Sequence, residues 1–198
     1  MTGDGWYHLA DEVERLDTQA GRALRAALAR HTEPLRVQVA GRAGTGRENV
    51  EAAVRSAVPD DVEITAVILD APSGPDPVLD ADVLVLVVPR RPVAHPADRT
   101  AADGATPERL LVVVPGAGEP DRLAVAAALA VPPEHALAGP PPHAPYPPDD
   151  ALAQALAACL SEARHSRELL LARTAAGLAV APTVRDRVED VLDEVAVW

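Results

Sequence analysis

The chain has 198 residues, 48% of them hydrophobic, which suffices for one domain with a sizeable core; 18 basic residues against 30 acidic ones give a net charge of −12. That balance argues against nucleic acid or an anionic membrane surface as a partner and leaves a basic protein surface open. Cys159 is the only cysteine, which excludes an intrachain disulfide and a cysteine metal cluster.

The core must be aliphatic, because Phe is absent and only Trp6, Trp198, Tyr7 and Tyr146 supply aromatic rings. Trp6, Leu9, Val13, Leu16, Ala20, Leu24 and Leu28 recur at steps of three and four, which predicts one long amphipathic helix over residues 6–29. A strand at 35–40 then runs into a glycine loop, and residues 48–57 continue as a helix that Pro59 stops. The segment 62–70, whose last half is a continuous apolar run ending in Asp70, and the runs at 82–88 and 110–114 have the pattern of strands buried on both faces. Residues 89–108, rich in Pro, Arg, Ala and Asp, read as loop; a helix at 121–130 and a short last strand around 135–138 follow.

Short apolar strands separated by helices or loops indicate a doubly wound parallel sheet, in which ligands bind at the carboxyl ends of strands. The glycine loop, Asp70, the turn at Pro89 and the turn at 115–118 should therefore gather along one rim. Residues 139–148, G-P-P-P-H-A-P-Y-P-P, are expected to be extended, reaching up to roughly 30 Å at ~3.1 Å per residue. They form a strap across the domain or a polyproline ligand, and they divide the chain into 1–138, 139–148 and 149–198. Past them, Asp149 and Asp150 can cap a helix from 151 to about 176, where Cys159 reads as a buried thiol. Thr183 and Asp186 make a capping box for a second helix, with Val184, Val188, Val191, Leu192, Val195 and Trp198 on one face. The beginning of the sequence lacks a charged start followed by an apolar stretch, and no run of 18 apolar residues occurs. A soluble, cytoplasmic protein without membrane insertion is expected.

The loop reads G-R-A-G-T-G-R-E over residues 41–48. A phosphate-binding loop has Gly, four residues, Gly, Lys, then Ser or Thr. Gly41 and Gly46 stand at that spacing, and with Gly44 and Thr45 they could curl the backbone so that its N–H groups converge on an anion. Arg47 and Glu48 occupy the two positions that do chemistry. The chain contains no lysine, so a bias toward arginine accounts for Arg47 but not for Glu48. A carboxylate there removes the hydroxyl that ligates magnesium. Facing a phosphate at about 4 Å it repels by roughly 4 kcal/mol at an effective dielectric of ~20. In the first turn of a helix the same carboxylate is favourable, by ~0.3–1 kcal/mol.

Other constellations carry less. His8, His31, His95, His135, His143 and His165 are scattered without ligand spacing, so no metal site is expected. Asp70 ends its apolar run as a turn or strand cap would, or, with Glu48 and Asp76, as a cation ligand. Ser73 lies outside any nucleophile-elbow pattern, and Arg90 and Arg91 read as a solvated loop or an anion contact.

The segment P-L-R-V-Q-V-A-G-R-A-G-T-G-R-E-N-V, preceded by an amphipathic helix, resembles the start of the GTPase domain of bacterial dynamin-like proteins. The resemblance spans residues 6 to about 138. V-I-L-D-A-P-S-G at 67–74 is similar to the family's apolar strand ending in Asp, two residues and Gly, with Ser73 displacing Gly74 by one place. D-A-D-V-L-V-L-V-V at 80–88 is similar to the strand that follows. L-V-V-V-P-G-A-G-E-P-D at 111–121 aligns with the strand that should end in Asn-Lys-x-Asp, and Pro115, Gly116 and Gly118 stand there instead. Only S-A-V-P-D-D, residues 56–61, occupies the place of the first switch and its strand. The resemblance implies an α/β fold of P-loop NTPase type. Its parallel sheet would have about five strands flanked by helices, with the N- and C-terminal helices packed on it.

Phosphoryl transfer depends on positioning and electrostatics, and the groups that supply them are the ones replaced. The expectation is a catalytically inactive GTPase-like domain acting as an interaction or regulatory module, with no cofactor and no enzymatic activity. The resemblance implies that its protein partner could be a dynamin-like GTPase, and a homo-oligomer is possible. The alternative is a nonstandard nucleotide or phosphate binder that uses the loop from Gly41 to Glu48 and takes GTP or ATP.

Overall fold

The computed structural model describes residues 3–71, 77–91, 93–139, 141–144, 150–178, 184–186 and 188–189. The chain forms two compact units, residues 34–163 and residues 1–33 with 164–198.

The larger unit is a five-stranded, all-parallel sheet. Its strands are β1 (Arg36–Gly41), β2 (Glu63–Ile68), β3 (Val83–Val87), β4 (Leu110–Pro115) and β5 (Ala136–Gly139), in the order β2-β1-β3-β4-β5. The helices of this unit are α3 (Arg47–Ala57), α4 (Pro96–Asp103), α5 (Glu119–Ala128) and the first part of α6 (Asp150–Leu178), numbered after two N-terminal helices. The sequence dictates the two layers. Every residue of β3 and β4 is buried, so alternate Val and Leu side chains go to opposite faces. Val37, Val39, Val83, Val85 and Val113 pack with Val50 and Val54 of α3 and Leu152, Leu156 and Cys159 of α6. Leu84, Leu86, Val112 and Val114 pack on the other face with Ala101 and Ala102 of α4 and Val125 and Ala126 of α5. Chain direction across the sheet reverses between β1 and β3, so right-handed crossovers put α3 on one face and α4 and α5 on the other.

Strand bounds match the apolar runs to within one or two residues, and α3 stops just before Pro59. Residues 89–108 are a correction, because α4 lies inside the segment expected to be loop. Pro96 opens this helix at the position where a missing N–H costs nothing, and His95 Nδ1 accepts from Ala97 N–H at 3.2 Å. The proline that suggested a loop is thus a helix start. Helix α5 likewise begins at Glu119 with Pro120 in its first turn, two residues before Asp121.

In the smaller unit the single helix expected over 6–29 is two, α1 (Gly3–Leu16) and α2 (Thr18–Thr32). Asp17 breaks the run: its backbone is extended, and its Oδ1 accepts from Gln19 and Ala20 N–H at 2.9 and 3.0 Å, capping α2. The two helices fold back on each other, with Arg25 paired to Asp11 and Glu14. A Cβ on Gly21 would stand 2.4 Å from the Cα of Glu14, so glycine sets the approach. Trp6, Leu9, Val13, Leu24 and Leu28 cluster with Leu171 and Ala175 of α6 and with Val184 and Val188. Val191, Leu192, Val195, Trp198 and the Thr183 cap lie outside the described residues. Among the described residues no helix is long and apolar enough to cross a membrane.

Candidate functional site

In a parallel sheet of this order the crevice lies at the carboxyl ends of β1 and β3, where the winding reverses. The glycine loop follows β1 directly and therefore stands at that point. Gly44 and Gly46 have φ of +74° and +85°, a region that L side chains rarely adopt, so the glycines shape the turn. Gly46 is the N-cap of α3 and its side provides no capping atom.

Several of the loop's polar groups have partners from within the chain. Asp70 Oδ1 accepts from Ala43 N–H at 2.9 Å, so this aspartate binds one of the loop amides. The Thr45 hydroxyl is buried and donates to Arg42 C=O at 2.8 Å. Arg47 Nη2 donates to Glu48 Oε1 at 2.9 Å; the arginine side chain is 12% exposed and the glutamate 72%. The Glu48 carboxyl is held below its ordinary range first by a hydrogen bond from its own backbone N–H and then by the Arg47 guanidinium. The carboxylate thus sits at the amino end of α3, where helix N–H groups and dipole favour negative charge.

Above the loop lies part of the proline-rich segment. Residues 141–144 are described; Pro140 and residues 145–148 lie outside the described residues, as do Ser73, Gly74 and Asp76. Far from running extended, 141–144 form a turn closed by Ala144 N–H to Pro141 C=O at 2.9 Å, and Gly139, expected to begin the strap, ends β5. A Cβ on Gly46 would meet Pro142 Cα at 2.8 Å and its carbonyl oxygen at 3.1 Å. Asn49 Nδ2, in the first turn of α3, donates to the carbonyls of Pro142 and Ala144 at 2.7 and 3.0 Å. On the other side Gly116, at φ +70°, lies beside Pro141, and its N–H donates to Gly139 C=O at 2.7 Å.

Two side chains at this rim carry weight that sequence reading did not assign. Arg42 Nε lies 3.2 Å from both carboxylate oxygens of Asp98, which is fully buried on α4. Asn49 holds the proline segment. An Arg inside the loop and an Asp two residues after a Pro helix start were signals available for the first; nothing in the sequence pairs Asn49 with residues 93 and 95 positions away. Arg90 donates to Gly116 C=O at 3.3 Å and pairs with Asp121 at 3.5 Å, linking the ends of β3 and β4. Among the described residues no three His, Cys, Asp or Glu converge as metal ligands.

Removing the Asn49 amide should loosen the segment before it affects the sheet. Two neutral hydrogen bonds are worth ~0.5–1.5 kcal/mol each, so Asn49→Ala should cost about 1–2 kcal/mol in urea denaturation. Amide exchange at Ala144 should speed up by roughly the same factor while β3 and β4 amides stay protected; unchanged exchange at Ala144 would contradict the latch.

Comparison with known proteins returns no matching family model, no matching curated protein and no matching solved structure.

Proposed function

We propose that this protein is a catalytically inactive GTPase-like domain that serves as an interaction or regulatory module, with a dynamin-like GTPase as a candidate partner. The observation that carries the reading is Pro142 seated on Gly46, with Asn49 fastening it, over a loop whose charges are already matched. A phosphate entering there has to displace the proline turn and face the Glu48 carboxylate. The five-stranded parallel sheet is compatible with the same reading, in which the edge strand of the first switch is missing, although its order is common to doubly wound sheets. β4 ends at Pro115, and Pro115, Gly116 and Gly118 stand where the resemblance puts the Asn, Lys and base-reading Asp.

Titration calorimetry with magnesium-GTP and magnesium-ATP tests it. No heat of binding is expected up to about 1 mM ligand, and no rise in melting temperature, since a ligand at 100 times its Kd adds ~2.7 kcal/mol to the folded state. Micromolar, magnesium-dependent binding overturns the proposal. Binding without magnesium that disappears in Arg47→Ala selects the alternative, a loop that takes phosphate through its amides; Gly44, exposed with no atom within 4 Å of an added Cβ, is where such an anion would enter.

A further inference from the structure

Helix α4 is held at its start by a group whose acceptor a single proton removes. A backbone N–H can only donate, so the 3.2 Å bond from Ala97 N–H requires His95 Nδ1 without a proton and the ring hydrogen on Nε2. The other histidines whose ring contacts are described make no such demand. His8 Nε2 lies 3.4 Å from the Glu12 carboxylate, which favours the charged ring. His135 Nδ1, 2.8 Å from Pro107 C=O, must itself donate, as it can in either state.

What the cap secures is short. Helix α4 has eight residues, just over two turns, too few to persist on backbone bonds alone. Ala101 and Ala102 are its apolar contacts with the sheet, and its fully buried Asp98 holds Arg42 Nε at 3.2 Å. The first turn closes on His95 as well, through Arg99 N–H to His95 C=O at 3.0 Å. His95 thus binds the helix by side chain and carbonyl, three residues before the aspartate that fixes the glycine loop.

We propose that His95 is a proton-sensitive clamp on the glycine loop. Neutral, it caps α4 and keeps Asp98 on Arg42; protonated, it frees the first turn of α4 and loosens the loop. Two effects act in the same direction. The proton takes the lone pair that Ala97 N–H uses, and the added positive charge stands at the helix end where the dipole is already positive. The neighbouring charges do not offset this. On α4 itself stand Asp98, Arg99 and Asp103, the last at the far end, and Arg90 and Arg91 precede the helix. The glycine loop contributes Arg42, which occupies Asp98, and the strands under α4 contribute Leu84, Leu86, Val112 and Val114. From α5, Asp121 is taken by Arg90 and Glu119 by Arg122. Histidine exchanges its proton between about pH 5 and 8. Because the folded chain uses the neutral ring, the cap contributes fully above that range and is lost as the pH falls through it. The clamp acts on the loop's geometry, whether or not the loop takes an anion.

Nuclear magnetic resonance of the full chain between about pH 7.5 and about pH 5.5 tests the clamp. The Ala97 amide shift should titrate in step with the His95 ring. Protection factors of the Ala101 and Ala102 amides and of the Arg42 Nε–H should each fall about tenfold at the lower pH, the factor expected from losing one cap and adding one charge at the helix start. The amides of β3 and β4 should keep theirs. His95→Asn, which retains a capping oxygen at an exposed position without titrating in this range, should hold the α4 amides protected at both pH values. His95→Ala should leave them about tenfold less protected at both. An Ala97 amide that does not follow the His95 ring, α4 amides equally protected across the range in the native protein, the same pH dependence in His95→Asn, or an equal loss in β3 and β4 overturns the proposal.

Discussion

Replacing Arg42 by alanine should destabilise the protein by about 3–5 kcal/mol, the largest loss expected from any single polar side chain at the rim. Asp98 has no exposed surface, and both of its carboxylate oxygens are 3.2 Å from Arg42 Nε. Truncating the arginine leaves a buried carboxylate with its countercharge gone. The reverse change is milder, because the Arg42 side chain is 17% exposed and its guanidinium can turn to water once Asp98 is removed. Arg42→Ala should therefore cost more than Asp98→Ala. The double variant Arg42→Met with Asp98→Leu should recover most of the loss, since a well-packed apolar pair often equals a buried ion pair. Urea denaturation of the four proteins ranks these losses directly. A loss below about 1 kcal/mol for Arg42→Ala would mean that the pair behaves like an exposed one. The consequence reaches the site. Arg42 is the second residue of the glycine loop, and its bond to α4 fixes the loop whether or not anything binds there.

The sheet was legible because burial on both faces leaves an unambiguous mark: V-L-V-L-V and L-L-V-V-V are read correctly without knowing the order of strands. Periodicity served less well in the N-terminal region. Trp6 to Leu28 keeps helical spacing straight through Asp17, yet the chain turns there, because an Asp with an extended backbone satisfies two N–H groups and a glycine four residues on lets the second helix fold back. Leu16, part of the apparent stripe, is 56% exposed. Helix α4 was hidden by its own start signal, since Pro, His and Asp are loop residues in composition and capping residues in position. At the candidate site the loop itself, Arg47, Glu48 and Asp70 could be named from spacing. What could not be read is which groups answer them. Asp70 bonding Ala43, Asp98 bonding Arg42 and Pro142 covering Gly46 are contacts across 27, 56 and 96 positions, where no local pattern records the pairing.

Substituting alanine at Gly46 and, separately, at Gly44 should distinguish a loop shaped for a ligand from one shaped for the chain's own proline turn. Both glycines have positive φ, so each alanine carries a left-handed penalty of roughly 1–2 kcal/mol. At Gly44 that is the whole cost, because an added Cβ meets nothing within 4 Å. At Gly46 the same Cβ lies 2.8 Å from Pro142 Cα and 3.1 Å from its carbonyl oxygen, backbone atoms that cannot swing aside as a side chain would. Overpacking of this kind adds about 1–3 kcal/mol. Gly46→Ala should thus be the more destabilised, by a total of about 2–5 kcal/mol, and it should also release the turn, so that Ala144 exchanges as fast as in Asn49→Ala. Asn49→Ala combined with Gly46→Ala should be less than additive, because a turn already lifted by the new methyl has no bonds left for Asn49 to lose. Equal losses at Gly44 and Gly46 would mean that Pro142 does not rest on the loop in solution. If the difference appears, glycine at position 46 is explained by the close approach of Pro142, and no phosphate is needed to account for it.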